Sequence, residues 1–125
     1  IVGKERNFPM ITIYQIQLTD EQIDAVNAGE VVEAFTVSNR MQLGFDHSKF
    51  SEDYLKHYSK GWAIDTDNLE EAFAVANGMG DESKASRFGL PRSASVGDIF
   101  VDENGDCFIC DNFGFVAVGY YELAA

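Results

Sequence analysis

The most informative part of the chain runs from Pro91 to Phe115 and reads PRSASVGDIFVDENGDCFICDNFGF. It contains the pair Asn104-Gly105 between two runs that are rich in β-forming residues, DIFVD and CFICD. An Asn-Gly pair accepts positive φ at both positions and is typical of the two-residue turn of an antiparallel hairpin. Such a turn sets the register of the two strands, and it predicts that Val101 lies opposite Phe108.

The predicted register assigns each side chain of the hairpin to one of two faces, because successive residues of a strand point to opposite sides. The face expected to pack on the core carries Ile99, Val101, Phe108 and Cys110. The opposite face is expected to be only partly covered and carries Phe100, Asp102, Cys107 and Ile109.

The same register, continued beyond the hairpin, places Asp98 opposite Asp111 with Cβ atoms about 4.5–5.5 Å apart. Two carboxylates at that distance repel each other, so either one takes up a proton or a cation such as the Arg92 guanidinium lies between them. These three residues form a candidate polar site. The alternative is that the aspartates accept hydrogen bonds from their own turns, Ser95–Gly97 and Asn112–Gly114, which leaves no shared site.

Cys107 and Cys110 are the two cysteines, and they have the C-x-x-C spacing of redox and zinc motifs. Residues three apart on a strand point to opposite faces, so these thiols cannot share a disulfide or a metal. We therefore predict reduced cysteines and a cytoplasmic setting. The two histidines, His47 and His57, have no second ligand at a regular offset. The run over residues 102–106 resembles part of a calcium loop, but it has no glycine at the required sixth position and no distal glutamate. We expect neither a metal nor a cofactor.

Local patterns predict four helices. Thr19 and Gln22 have the spacing of a capping box, and the helix that they begin ends near Ala28, before Gly29. The other three are a helix over Val31–Asn39, one that follows Ser51 and ends near Tyr58, and one that Asp67 caps and Gly78 ends.

Strand patterns complete the prediction. Met10–Leu18 alternates as a half-buried strand, and residues 59–65 read as a short strand or an extended link. The hairpin and Phe115–Tyr121 form a three-stranded C-terminal meander, whereas Met79–Gly89 has no periodicity and is expected to be a loop. The fold class is α+β, with a mainly antiparallel sheet of the N-terminal strand and the meander, packed with three to four helices.

The chain reads as a single domain over residues 10–125, preceded by a flanking segment over residues 1–9. That segment has no apolar core long enough for a signal peptide. No apolar run approaches the length of a membrane span, so we expect no membrane association.

Two motifs in the C-terminal third resemble a known family. The run Ser93–Asp98, SASVGD, followed by Asp111–Phe115, DNFGF, is similar to the ending of YodL-like domains. Weaker similarity extends over residues 13–15 and 53–62 and to Leu69-Glu70 with Phe73. Those domains occur in phage and conjugative-element proteins, often among the large polyvalent proteins, and they have no established activity. The resemblance implies an accessory protein of phage or mobile-element type.

The 125 residues carry a formal net charge of −12, from 21 acidic and nine basic side chains. This charge opposes direct binding to nucleic acid, because phosphate recognition requires clustered Lys and Arg. It suits a protein that self-repulsion keeps in solution, and equally one that presents an acidic surface to a basic partner.

No nucleophile triad, phosphate loop or metal-ligand array occurs in the sequence, so we expect a non-enzymatic module that binds another protein. The sequence does not specify its oligomeric state. One alternative is an enzyme with a carboxylate-based site at Asp98 and Asp111. Another is a counter-defence protein whose acidic surface imitates nucleic acid. Tyr54, Tyr58 and Trp62 are candidate surface aromatics that could stack on a base or a peptide, and core packing is their alternative use.

Overall fold

A six-stranded antiparallel sheet forms the centre of the computed structural model, which describes residues 10–42, 50–121 and 123. The strands are β1 (Ile11–Ile16), β2 (Tyr58–Ile64), β3 (Ala85–Arg87), β4 (Ile99–Val101), β5 (Asp106–Cys110) and β6 (Phe115–Tyr120). Their order across the sheet is β3-β2-β1-β4-β5-β6, so the N-terminal strand lies beside the C-terminal meander. The predicted α+β class with a mainly antiparallel sheet is confirmed.

Three α-helices and two 3₁₀ helices complete the described fold. The α-helices are α1 (Asp20–Asn27), α2 (Glu33–Gln42) and α3 (Leu69–Ala76), and the 3₁₀ helices are Glu52–His57 and Glu82–Lys84. Thr19 and Gln22 form the predicted capping box of α1, and no side chain of α1 is buried. The cap of α3 is Asn68 rather than Asp67, since the Asn68 side chain accepts from the amide of Glu71.

Hydrophobic side chains pack on both faces of the sheet. The α3-side cluster consists of the buried residues Ile11, Ile13, Trp62, Ile64, Ala72, Val75, Ala76, Ala94, Phe100 and Cys110. The α2-side cluster consists of the buried residues Tyr14, Ile16, Ala34, Val37, Met41, Tyr58, Ile99, Cys107 and Ile109. The expectation of a half-buried first strand was therefore wrong, because helices cover both of its faces.

The hairpin forms, but its register is one residue away from the predicted one. Val101 pairs with Cys107 and Ile99 with Ile109. The loop has three residues instead of two, because Gly105 alone takes positive φ there and its amide donates to the carbonyl of Asp102. A turn followed by a glycine in the left-handed region is the usual geometry of a three-residue hairpin loop.

The altered register also changes which side chains share a face. Ile99, Cys107 and Ile109 lie in the α2-side cluster, whereas Phe100 and Cys110 lie in the α3-side cluster. Phe100, Cys107 and Ile109 were expected to be partly covered, yet at most 1% of each is exposed. The prediction that Cys107 and Cys110 point to opposite faces is confirmed, and both are buried free thiols.

A bulge at Gly61 reverses the alternation of β2. Ile13 pairs with Trp62 and Tyr14 with Lys60, which leaves Gly61 as the extra residue. Tyr58 and Trp62 consequently lie on opposite faces, although they are four residues apart. The predicted helix after Ser51 is a 3₁₀ helix that stops at His57, so Tyr58 begins a strand instead of ending a helix.

Met79–Gly89 was predicted to be a loop, and this prediction was wrong in part. Residues 82–84 form a 3₁₀ helix, and Ala85–Arg87 pairs with the outer side of β2 as the short strand β3.

The helix predicted over Val31–Asn39 is present as Glu33–Gln42. The flanking segment 1–9 and His47 lie outside the described residues. In the described part of the chain, no helix has the length and apolar character needed to span a bilayer.

Candidate functional site

Asp98 is a buried carboxylate at the start of β4, with 1% of its side chain exposed. Arg92 holds it from one side with two hydrogen bonds, Nη1 to Oδ2 at 3.1 Å and Nη2 to Oδ1 at 2.9 Å. The amide of Ser95 donates to Oδ2 at 2.9 Å, and Nε2 of Gln15 donates to the same oxygen at 3.1 Å. Such a bidentate, charge-assisted pair is the strongest polar contact that a carboxylate makes with a side chain.

The linking segment, residues 91–98, is held against the sheet by side chains of β1 and β2. Gln15 is fully buried, and its Nε2 donates to the carbonyl of Arg92 at 2.9 Å while its Oε1 accepts from the amide of Arg92 at 3.2 Å. Trp62 donates from Nε1 to the same carbonyl at 2.9 Å. A Cβ on Gly61 would lie 2.9 Å from Oε1 of Gln15 and 3.3 Å from Cβ of Pro91. The bulge glycine therefore allows the linking segment to approach the sheet.

The hydroxyl of Tyr58 fixes the far end of the linking segment, since it donates to the carbonyl of Gly97 at 2.6 Å. Burial raises the pKa of Tyr58, and the nearby Asp98 acts in the same direction. Burial also raises the pKa of Asp98, while Arg92, the Ser95 amide and Gln15 act against that rise. Among the described residues, every buried side-chain nitrogen and oxygen has a hydrogen-bond partner. The buried polar atoms of this network therefore all have partners, and together they hold the linking segment against the sheet.

Asp111 does not lie opposite Asp98. The backbone of Asp98 pairs with Cys110, whose amide donates to the Asp98 carbonyl at 2.9 Å. Asp111 accepts from the amide of Asn112 through Oδ1 at 2.7 Å, and its own amide donates to the carbonyl of Gly114 at 2.8 Å. The structure therefore brings Arg92 and Asp98 together and gives Asp111 a turn of its own, because the hairpin register differs by one residue from the predicted one.

The three candidate surface aromatics do not share a surface. Tyr58 and Trp62 are each 6% exposed, and they lie in different clusters. Tyr54 is half-buried against the α2-side cluster, where its ring meets Phe50 edge-on with centroids 6.4 Å apart. Core packing accounts for all three side chains.

Glu33 of α2 contacts two side chains of the first 3₁₀ helix. Nε2 of His57 lies 2.8 Å from Oε1 of Glu33, and Nζ of Lys56 lies 3.3 Å from the same oxygen. These contacts lower the pKa of Glu33. The described residues contain no group of three or more His, Cys, Asp or Glu side chains that could hold a metal ion.

The exposed feature that sequence reasoning missed is the outer edge of β6. This strand ends the sheet, and its outer edge has no partner strand among the described residues. Its six residues, FVAVGY, carry no charge. Two aromatic side chains stand at its ends: Phe113 is 99% exposed in the turn before it, and Tyr120 is 67% exposed at its last position.

Charge is distributed unevenly around this edge. Residues 93–125 contain six carboxylate side chains and no Lys, Arg or His. Asp102, Glu103 and Asp106 lie in the β4–β5 hairpin beside one end of β6, and Asp111 lies in the turn at the other end. The described cations lie elsewhere, on α2, β2, β3, the two 3₁₀ helices and the linking segment. A count of basic residues along the sequence would have revealed this asymmetry.

Comparison of the chain with protein-family models, with curated proteins and with solved structures finds no match. The case for a function therefore depends on the geometry of the described residues and on the two C-terminal motifs. The structure places these motifs side by side, since the amide of Gly97 donates to the carbonyl of Cys110 at 2.9 Å, immediately before the second motif.

Proposed function

We propose that this protein is a non-enzymatic accessory module of phage or mobile-element type that acts by binding another protein. The observation that carries the proposal is the outer edge of β6, which has no partner strand among the described residues, with Phe113 and Tyr120 exposed at its two ends. Aromatic side chains are enriched among the residues that dominate the binding energy of protein interfaces. The binding surface comprises β6 and the turns that flank it.

The state of the polar network supports the same conclusion. Asp98 is enclosed and already bonded to Arg92, Ser95 and Gln15, so it offers no free oxygen to a substrate. The enzyme alternative placed a carboxylate-based site around Asp98 and Asp111. Asp98 does lie beside an arginine, but Arg92 bonds both of its oxygens, and Asp98 faces Cys110 across the ladder. A cytoplasmic location in an infected or host cell belongs to the proposal, because buried free thiols such as Cys107 and Cys110 suit a reducing compartment.

Affinity capture from host-cell extract tests the proposal. The wild-type protein, the double variant Phe113→Ser/Tyr120→Ser and the control variant Val31→Ser/Met79→Ser serve as baits. The control removes two apolar side chains that are also highly exposed, 94% and 72%, in other parts of the chain. We expect captured proteins that fall at least tenfold with the first variant and persist with the second, as measured by quantitative mass spectrometry.

Thermal melts of the three baits ensure that lost capture reflects the surface and not unfolding. Equal capture by all three folded baits, or capture at background level by the wild type, would contradict the proposal.

Nucleic-acid mimicry is a second candidate, favoured by the six carboxylates of residues 93–125. It predicts that duplex DNA releases the captured protein, since the mimic and DNA would compete for one basic surface. Release by a high-salt wash but not by DNA at matched ionic strength would favour the accessory module.

A further inference from the structure

We propose that the edge of β6 binds a basic, extended segment of the partner protein, which adds to the sheet as a seventh strand. This inference rests on the proposed function and specifies the chemistry of the partner and its binding mode. In strand addition, main-chain hydrogen bonds provide affinity and alternating side chains provide specificity.

The backbone of β6 has the length and composition for such an addition. Six residues span about 20 Å at the usual rise per residue, and none of them is charged or proline. Edge strands are commonly protected against pairing by short length, lysine, proline, an inward-pointing charge or a β-bulge. The opposite edge has such protection, since β3 is three residues long and ends at Arg87. β6 is longer and carries no charge, and its pairing with β5 shifts register once, where Val118 is the extra residue, so Phe115–Ala117 is its regular part.

The side chains around β6 indicate where a partner would gain contacts. Phe115 is anchored on the sheet, with its ring centroid 4.9 Å from that of Phe100, and Val118 packs on the α2-side cluster. The strand is therefore held from both faces, while its outer edge has no partner strand in the described part of the chain. Phe113 and Tyr120, at the two ends, would contact the residues that enter and leave the added strand.

The carboxylates around β6 favour a basic partner segment. The turns at the two ends of β6 carry Asp111 on one side and Asp102, Glu103 and Asp106 on the other, and residues 93–125 contain no cation. A segment with Lys or Arg at both ends and uncharged residues in the middle complements this arrangement. A second copy of the chain does not, because edge-to-edge pairing would bring two sets of these carboxylates together.

A synthetic peptide tests the inference directly. The probe is a fluorescein-labelled Lys-Lys-Val-Thr-Val-Thr-Lys-Lys, with two control peptides: one has proline at all four central positions, which removes the amide donors of both strand edges, and the other has glutamate at all four lysine positions. We expect the full chain to bind the probe in fluorescence anisotropy at low salt. The proline peptide should bind at least tenfold more weakly, because proline cannot donate to a ladder, and the glutamate peptide should not bind.

Charge-reversal variants locate the site. Glu103→Lys/Asp106→Lys should weaken probe binding at least tenfold, because it reverses two carboxylates beside Tyr120. Asp24→Lys/Glu30→Lys makes the same change in net charge on exposed positions at α1 and should change binding less than twofold. Hydrogen–deuterium exchange should show that the probe slows exchange of amides in residues 115–120.

Three outcomes would overturn the inference: equal binding of the proline peptide, unchanged binding by Glu103→Lys/Asp106→Lys, or no protection of β6. A dimer in sedimentation velocity that protects β6 without any peptide would also overturn it, because the occupant would then be a second copy. If capture from extract depends on Phe113 and Tyr120 while the probe fails to bind, the proposed function stands and strand addition falls. If instead the probe binds while capture from extract does not depend on Phe113 and Tyr120, strand addition stands and the proposed function falls.

Discussion

At the residue scale, the pair Arg92–Asp98 contributes most to the organisation of the site. It joins the linking segment to the start of β4, and Gln15 and Ser95 complete the bonding of the carboxylate. A buried pair of this kind gains little over a well-packed apolar pair, but removal of one partner leaves an uncompensated charge in the interior. The main effect of the pair is therefore to fix the position of the linking segment, and its contribution to the free energy of unfolding is small.

We predict that Arg92→Ala lowers the free energy of unfolding by about 3 kcal/mol at neutral pH. Burial raises the folded-state pKa of Asp98, and the variant loses the guanidinium that opposes this rise. A carboxyl group whose pKa is higher in the folded state than in the unfolded state stabilises the fold at pH values below its unfolded-state pKa. This stabilisation is lost as the pH rises through its folded-state pKa. The deficit of Arg92→Ala relative to wild type should thus be smaller near pH 4.5 than near pH 7.5, as measured by urea denaturation.

Arg87→Ala is the matched control for this measurement. Its guanidinium carbon lies 5.1 Å from the centroid of the Trp62 ring, and it is an exposed residue of β3. We expect a loss of about 1 kcal/mol or less that is the same at both pH values. A deficit of Arg92→Ala that does not change with pH would show that Asp98 keeps an ordinary pKa without its partner.

At the element scale, the contact between α2 and the linking segment depends on a glycine. Gly97 has φ of +93°, and a Cβ there would lie 2.6 Å from the carbonyl oxygen of Met41 near the end of α2. Gly29 has φ of +84°, but a Cβ there would meet no atom within 4 Å. Both glycines therefore need a positive φ, but only Gly97 lies against another element, α2.

We predict that Gly29→Ala costs about 1 kcal/mol, the usual penalty of a left-handed residue with a Cβ. Gly97→Ala should cost about 3 kcal/mol, because α2 or the linking segment must also move. Chemical denaturation of both variants measures the difference. Equal losses in the free energy of unfolding would mean that α2 can shift to accommodate the added methyl group without further destabilisation.

At the scale of the whole molecule, the charge is both large and unevenly placed. The net charge is −12, and the described cations lie outside the β4–β6 half of the sheet. Self-repulsion among these carboxylates opposes the folded state, and dissolved salt screens it. The same asymmetry is what we expect a basic partner to recognise.

We predict that the melting temperature at pH 7 rises by a few degrees when NaCl is increased from 10 to 200 mM, since the Debye length falls from about 30 Å to about 7 Å. Near pH 4.3, the isoelectric point of the sequence, the same addition should change the melting temperature little. Circular dichroism melts in both buffers provide the comparison. A fall in melting temperature with salt at pH 7 would show that attractive pairs, such as Lys84–Glu71, outweigh the repulsion.

Features that depend on neighbouring residues could be predicted from the amino acids alone. The capping box of α1, the helical period of α3 and the opposite orientation of Cys107 and Cys110 all arise within a few residues of chain. The three-stranded meander also belongs to this group, because its strands are consecutive and its turns contain glycine. Short-range sterics and hydrogen bonding specify these features without help from the remainder of the fold.

The hairpin register did not follow from the Asn-Gly pair, because a second local contact opposes the two-residue turn. The Asp102 carboxylate accepts from the amides of Asn104 and Asp106 and stabilises the three-residue loop. Other features required contacts between distant parts of the chain. Burial of Gln15 depends on the linking segment, some 77 residues away in sequence. The position of β6 at the end of the sheet, with no partner strand on its outer side among the described residues, depends on the strand order of the whole sheet. Since strand order is set by packing on both faces of the sheet, this edge became visible only in the folded chain.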